Sequence, residues 1–188
     1  MLGFYNYTVI LTYMGMMSAF FGILAASDGN SKMALFCLMA AGVCDMFDGT
    51  IARTMDRTPA QRRFGIQIDS LSDLISFGLL PGMILYCRNH DMASMVIAAL
   101  YVLSALIRLA YFNVMEEERQ EQTDEARTSY LGLPVTTSAA VFPVVYMIQE
   151  RGGGDGLGGI ALLIMALLFL LPIKVKKPHW KRRFCKAA

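Results

Sequence analysis

Charged residues are scarce in this sequence. Asp, Glu, Lys and Arg together make up 17% of the 188 residues, whereas soluble globular domains usually contain ~25%. The charges nearly cancel, because 17 Lys and Arg stand against 15 Asp and Glu, for a formal net charge of +2. A domain that binds nucleic acid through a strong basic excess is therefore excluded, and we expect no nucleic-acid partner.

Histidine and cysteine are also rare. The chain has 2 His and 4 Cys, with no C-x-x-C pair, which argues against a zinc site and against a disulfide-dense secreted module. Apolar residues dominate instead, at 55% of the chain, and the mean hydropathy is +0.46. This composition excludes a disordered chain and indicates a polytopic membrane protein.

Six segments are apolar enough to cross a membrane as helices. A spanning helix needs ~20 mostly apolar residues, and candidates lie at about 8–27, 33–54, 66–87, 92–114, 132–149 and 156–173. The sequence therefore predicts an all-α, polytopic membrane protein with about six transmembrane helices. We expect a single membrane domain over residues 1–188.

Lysine and arginine are distributed unevenly between the two sides that these spans define. Of the 17 basic residues, 13 fall on the side of the two termini, 3 fall on the other side, namely Lys32, Arg88 and Arg151, and Arg108 lies inside the fourth span. Because basic loops remain in the cytoplasm, both termini are predicted to be cytoplasmic, in a multi-pass protein of the cell membrane. The basic tail 174–188 is expected to contact anionic lipid headgroups.

Four aspartates lie inside the predicted spans, where a carboxylate costs roughly 2.5–3.5 kcal/mol. Asp45 and Asp48 are spaced i, i+3, and Asp69 and Asp73 are spaced i, i+4, so each pair shares one face of its helix. The second span runs toward the cytoplasm and the third starts there. All four carboxylates are therefore expected to converge in one pocket that opens to the cytosol.

Four carboxylates at close range repel one another unless protons or cations intervene. Hard divalent cations prefer oxygen ligands, and two such ions ~3.5–4 Å apart can clamp a phosphoryl-type transition state. Three alternatives remain: acids solvated at the helix ends, a proton or ion pathway, and a transporter of divalent metal ions.

The spacing Asp45-x2-Asp48-Gly49-x2-Ala52-Arg53-x11-Gly65-x3-Asp69-x3-Asp73 resembles the signature of the CDP-alcohol phosphotransferases. Every specified position matches, and the predicted six-helix plan resembles that family over nearly the whole chain. The resemblance implies a homodimeric integral membrane enzyme that displaces CMP from a CDP-linked donor with an alcohol.

The resemblance also implies roles for the matched positions. Two divalent ions, Mg²⁺ or Mn²⁺, would be held by Asp45, Asp48, Asp69 and Asp73. Asp73 would also be the catalytic base that deprotonates the acceptor hydroxyl. The cytidine would be bordered by Gly49, Ala52 and Gly65, and the diphosphate would be contacted by Arg53. For Gly49, helix packing is an equal alternative. Asn6 and Thr12, near the first helix, are further candidates for reaching the nucleotide.

The fourth span ends Arg108-Leu109-Ala110-Tyr111-Phe112-Asn113, and a Gly132-Leu133-Pro134 segment precedes the fifth. Together they resemble the phosphatidylserine synthase branch of the family, although Tyr111 stands where that pattern has a second arginine. The resemblance implies transfer of a phosphatidyl group from CDP-diacylglycerol to L-serine. Arg108 would then bind the serine carboxylate, with Asn113 as a hydrogen-bonding aid.

Other interpretations of these segments remain open. Arg108 can instead be a structural counter-ion for the acidic cluster. Glycerol 3-phosphate or an inositol phosphate is the nearest rival acceptor, with Arg62, Arg63 and Arg127 as phosphate ligands. Gly78-x3-Gly82 predicts a close helix contact, within the chain or between protomers.

Overall fold

Helices make up most of the computed structural model, which describes residues 7–52, 58–122, 129–131, 133–152, 154, 156–172 and 174–176. The helical elements are α1 (Tyr7–Ser27), α2 (Ser31–Ala52), α3 (Pro59–Asp73), a π-helical segment (Leu74–Leu79), α4 (Leu80–Asn89), α5 (Met92–Gln122), a 3-10 turn (Val135–Thr137), α6 (Ser138–Glu150) and α7 (Leu157–Leu170). Because α3, the π-helical segment and α4 follow one another without a break, the described residues form six long helical stretches. The predicted all-α fold is confirmed.

Three of these stretches are long and apolar enough to cross a membrane, namely Val9–Ser27, Pro59–Asn89 and Met92–Glu118. Leu157–Leu170 is a shorter apolar helix. Large apolar side chains face outward along the helices; Phe36, for example, is 62% exposed and Leu167 is 64% exposed. Apolar surface of this extent fits lipid better than water. The protein is membrane-embedded, while the count of six spans and the cytoplasmic termini stay predictions.

Some helices begin or end at other residues than hydropathy predicts. α3 starts at Pro59 rather than near residue 66, because Thr58 caps it. The Gln61 N–H donates to Thr58 Oγ1 (3.3 Å), and the Thr58 N–H donates to Gln61 Oε1 (3.0 Å), which is the reciprocal pattern of a capping box. α5 continues past residue 114 to Gln122, since Glu, Arg and Gln are good helix formers even where the chain is no longer apolar.

The π-helical segment changes the helix register between α3 and α4. The Leu80 N–H donates to the Ile75 carbonyl, five residues earlier, instead of four as in an α-helix. Pro81 follows directly and has no N–H to offer the Phe77 carbonyl. That carbonyl accepts a hydrogen bond from Tyr101 Oη of α5 at 2.8 Å.

Small residues let the helices approach closely around the core. A Cβ added to Gly42 would lie 2.7 Å from Ala139 Cβ, which brings α2 against α6. Added Cβ atoms would lie 3.4 Å from Ala105 Cβ for Gly78 and 3.3 Å from Ala98 Cβ for Gly82. The close contact expected for this glycine pair is therefore made with α5 of the same chain. The fully buried side chains at the centre include Leu38, Phe77, Leu80, Tyr101 and Leu162.

Two short strands depart from the purely helical prediction. β1 (Ser129–Leu131) pairs antiparallel with β2 (Lys174–Lys176), with Tyr130 opposite Val175. The pairing places the start of the basic tail beside the segment that leads into α6. The rest of the tail, from residue 177 onward, lies outside the described residues.

Candidate active site

The aspartate pair of α2 and the aspartate pair of α3 line one cleft. Oxygen atoms of Asp45, Asp48 and Asp69 all lie within 4.8 Å of one another. Asp73 adjoins this group, because it lines the same cleft as the other three aspartates. The structure thus brings all four aspartates together, as their spacing predicts.

α1 forms the third wall of the site. Thr12 Oγ1 donates to Asp48 Oδ2 at 3.2 Å, and Ser72 Oγ donates to the Thr12 carbonyl at 3.3 Å. Thr12, Asp48 and Ser72 are each 8% exposed. The hydroxyl of Thr12 therefore holds one oxygen of Asp48 in place.

The described lining of this cleft contains carboxylates and no basic residue. It is formed by Leu11, Thr12, Gly15, Ala41, Cys44, Asp45, Asp48, Asp69, Ser72, Asp73, Ser76 and Phe77. Carboxylates that are packed together without a cationic side chain need protons or metal ions to offset their repulsion. The ligand atoms that cluster within 4.8 Å are carboxylate oxygens, and oxygen donors suit Mg²⁺ or Mn²⁺ rather than zinc or copper. The residues present therefore fit hard divalent cations.

Four further residues were predicted to border the nucleotide. Gly49 is exposed, and a Cβ added there would meet no described atom within 4 Å. Contact with the described helices therefore does not explain this glycine, unlike Gly42. Gly65 lies on α3, one helical turn before Asp69, and is partly buried. Ala52 is the last residue of α2, and Arg53, like Asn6, lies outside the described residues.

The two predicted acceptor residues differ in their relation to the cleft. Asn113 of α5 accepts a hydrogen bond from Ser70 Oγ at 2.8 Å, so it adjoins the residue that follows Asp69. Arg108 is 9% exposed, and its guanidinium carbon lies 5.7 Å from the centroid of the Phe112 ring. Arg108 is absent from the described lining of the cleft.

Sequence reasoning missed Ser70 and Ser72. Both hydroxyls lie between the metal-ligand candidates of α3, and each connects α3 to a neighbouring helix. The run Asp69-Ser70-Leu71-Ser72-Asp73 contained the signal, because small hydroxyl residues inside a membrane helix commonly bond across helix contacts.

The basic residues assigned to the opposite side of the membrane lie at the other end of the structure. Arg88 Nη1 is 3.6 Å from Glu150 Oε1, and Lys32 and Arg151 line a groove between α2 and α6 that also contains Glu150. Lys32 and Asp45 are separated by ~20 Å along α2, from the helical rise per residue. The site and this cluster thus occupy opposite ends of α2.

Comparison with known proteins agrees with this geometry. The family model described as CDP-alcohol phosphatidyltransferase matches residues 5–172. The chain is 30% identical over 183 residues to the CDP-diacylglycerol–serine O-phosphatidyltransferase of Helicobacter pylori, covering 94% of this chain and 71% of that protein. It is 30% identical over 184 residues to the Mycobacterium tuberculosis protein of the same name, covering 93% and 63% of the two chains.

An archaeal relative also matches. The chain is 29% identical over 140 residues to the archaetidylserine synthase of Methanothermobacter thermautotrophicus, covering 73% of this chain and 56% of that protein. The residues that the family model matches include all four clustered aspartates.

Proposed function

Since this chain belongs to the CDP-alcohol phosphatidyltransferase family, we propose that it transfers the phosphatidyl group of CDP-diacylglycerol to L-serine. The bacterial relatives named above carry out this reaction according to their names. The observation that carries the proposal is the cluster of Asp45, Asp48 and Asp69, with oxygens within 4.8 Å of one another and no basic residue in the described lining of the cleft.

The reaction requires one bond to form and one to break at phosphorus. The serine hydroxyl oxygen attacks the phosphorus that carries the diacylglycerol, and the bond from that phosphorus to the bridging oxygen of CMP breaks. The proton of the serine hydroxyl passes to a base, and CMP leaves with the bridging oxygen. The products are phosphatidylserine and CMP, with no oxidation or reduction.

The aspartates divide two tasks in this proposal. Asp45, Asp48, Asp69 and Asp73 would hold two divalent ions, which would neutralise charge on the diphosphate and on the departing CMP. Asp73 also accepts the proton of the serine hydroxyl. Thr12 keeps Asp48 in place through the bond between their side chains, which is the usual contribution of groups behind a metal ligand.

The nucleotide end of the donor is assigned to the end of α2 and the start of α3. The open space at Gly49 admits a ligand close to the backbone, and glycine permits such an approach. Gly49, Ala52 and Gly65 border the cytidine in this proposal, and the Arg53 guanidinium binds the diphosphate as a fork of N–H donors.

Serine is assigned to the side of the site that α5 forms. Asn113 is tied to Ser70, next to Asp69, and offers the amide that would bind serine. Arg108 supplies the positive charge for the serine carboxylate. The rival acceptors, glycerol 3-phosphate and inositol phosphate, carry a phosphate and require several basic residues. Of the candidate phosphate ligands, Arg63 forms an ion pair with Glu117, with its Nε 3.8 Å from Glu117 Oε1. Arg127 lies outside the described residues.

Placement in the membrane follows from the charge asymmetry. We assign the protein to the cytoplasmic membrane, with the site and both termini facing the cytosol, so that CMP and serine exchange with the cytosol while the diacyl chains remain in the bilayer. We also propose a homodimer, as the family resemblance implies.

The test is CMP release by the purified protein in detergent. CDP-diacylglycerol and Mn²⁺ or Mg²⁺ are supplied, with L-serine, glycerol 3-phosphate, inositol phosphate or no acceptor in parallel. CMP release that requires serine supports the proposal. CMP release only with a phosphorylated alcohol would show that this alcohol, and not serine, is the acceptor in the same transfer reaction. Metal-ion flux into proteoliposomes without CMP release would show that the protein is a transporter of divalent metal ions and not an enzyme.

A further inference from the structure

We propose that Tyr101 of α5 is a positioning residue for the metal-binding aspartates, acting through the π-helical segment that follows Asp73. Tyr101 does not line the described cleft. Its hydroxyl instead donates to the Phe77 carbonyl at 2.8 Å, in the middle of the segment Leu74–Leu79.

The π-helical segment determines how the aspartates of α3 face relative to the core. One extra residue in a helical turn rotates everything before it by about 100° relative to everything after it. Leu80 and Ile84 of α4 are anchored in the core, at 0% and 7% exposure. With α4 fixed in this way, the direction of Asp69 and Asp73 depends on whether the intervening segment is π-helical or α-helical.

Tyr101 holds the segment in its observed register, because its hydroxyl bonds the Phe77 carbonyl and the direction of that carbonyl changes with the register. In α-helical geometry, the Phe77 carbonyl would face residue 81, and Pro81 has no N–H. The Tyr101 hydroxyl occupies this carbonyl, and the ring is held from two sides. Its centroid lies 6.0 Å from that of Phe142 and 5.6 Å from that of Phe169, and Tyr101 is 0% exposed.

The segment is also part of the site. Ser76 and Phe77 line the same cleft as the four aspartates. A change of register in this segment therefore displaces both the wall of the cleft and its metal ligands, without any change to a residue that touches the substrate.

Two variants separate positioning from simple stabilisation. Tyr101→Phe removes only the hydroxyl. In the double variant Tyr101→Phe/Pro81→Ala, residue 81 regains an N–H that can bond the Phe77 carbonyl in α-helical geometry. Phe169→Leu is the matched control, because it removes a ring contact of Tyr101 and keeps the hydroxyl.

Mn²⁺ binding without substrate is the first measurement, by electron paramagnetic resonance of free Mn²⁺. Tyr101→Phe is expected to weaken binding by about tenfold, the size typical of losing support for metal ligands, whereas Phe169→Leu should leave it unchanged. This readout is independent of the proposed serine transfer, so failure of that function and failure of the Tyr101 proposal are distinguishable.

The rate measurements rest on the proposed function. Tyr101→Phe is expected to lower kcat by about tenfold or more, as a small misplacement of reacting groups does, with little change in KM for serine. Tyr101→Phe should also lower the thermal midpoint of unfolding, because the Phe77 carbonyl loses its hydrogen bond. In the double variant, this thermal midpoint should return to that of the unsubstituted protein, whereas kcat and Mn²⁺ binding should remain reduced.

Three results would overturn the proposal: unchanged Mn²⁺ binding in Tyr101→Phe, an equal loss in Phe169→Leu, or recovery of both stability and Mn²⁺ binding in the double variant. If Tyr101→Phe does not fold, Pro81→Ala alone tests the same proposal. This variant keeps Tyr101 but gives residue 81 an N–H that can bond the Phe77 carbonyl in α-helical geometry. It should weaken Mn²⁺ binding without lowering the thermal midpoint. Unchanged Mn²⁺ binding there would refute the role of the register.

Discussion

Replacing Gly49 by alanine tests whether the end of α2 approaches the nucleotide. An added Cβ meets no described atom within 4 Å, so the methyl group has no steric cost against the described residues. Alanine is favoured over glycine inside a helix by roughly 0.5–1 kcal/mol. For a chain of this size, that corresponds to a rise in thermal midpoint of about 1–4 °C.

The same methyl group should weaken binding of CDP-diacylglycerol. Forcing an extra methyl into a close contact costs about 1–3 kcal/mol, which corresponds to an increase in KM for the donor of roughly 5- to 150-fold. KM for serine should change little, since serine is assigned to the side of the site that α5 forms. The assay is CMP release at varied donor concentration, together with thermal unfolding in the same detergent.

Gly42→Ala is the matched control on the same helix. Its Cβ would lie 2.7 Å from Ala139 Cβ, so the thermal midpoint should fall while KM for the donor stays near that of the unsubstituted protein. The two substitutions thus predict opposite effects on stability and on donor binding. An unchanged donor KM in Gly49→Ala would refute the placement of the nucleotide at Gly49.

Three further substitutions test the remaining roles. Asp73→Asn should lower kcat by about 10²- to 10⁴-fold, the range for loss of a general base, while donor binding persists. Asp28→Asn, at the exposed turn after α1, is the control. Near-normal turnover in Asp73→Asn would exclude Asp73 as the base. Arg108→Ala should raise KM for serine far more than KM for the donor, and equal effects on both would identify a structural counter-ion. Thr12→Val should raise the Mn²⁺ concentration for half-maximal activity by roughly 10- to 150-fold, because a hydrogen bond to a charged group contributes about 1.5–3 kcal/mol. Thr12→Ser keeps the hydroxyl and should behave normally, and a normal metal requirement in Thr12→Val would contradict the role of its bond to Asp48.

The acidic cluster was predictable because helical periodicity is local. Spacings of three and four residues place Asp45 beside Asp48 and Asp69 beside Asp73 on their helices, and the membrane leaves few places for such groups. The charge asymmetry then assigned both pairs to the same side of the membrane, because the second span ends there and the third begins there.

Hydropathy was less informative about helix ends, because it measures the fit to a membrane rather than helix formation. The capping box at Thr58 and Gln61 was readable from the residue types alone, and it would have placed the start of α3 correctly. The helical part of α5 beyond residue 114 is polar, so a search for apolar spans ends too early there.

The π-helical segment was beyond the reach of a sequence pattern. It depends on a bond between Tyr101 and the Phe77 carbonyl, which are 24 residues apart in sequence. Pro81 signals only that one α-helical hydrogen bond is missing, and neither its replacement donor nor the local register follows from residue spacing. The tertiary partner decides between the two helical forms.

The pairing of β1 with β2 imposes an order on biosynthesis. β1 precedes α6, whereas β2 follows α7, so the ribosome completes both helices before the partner strand of β1 exists. Backbone groups of residues 129–131 that pair with β2 in the finished protein therefore remain without this partner until α6 and α7 have been synthesised. Closure of this two-stranded ribbon is a late event in assembly, and it joins residues 174–176 to the segment that leads into α6.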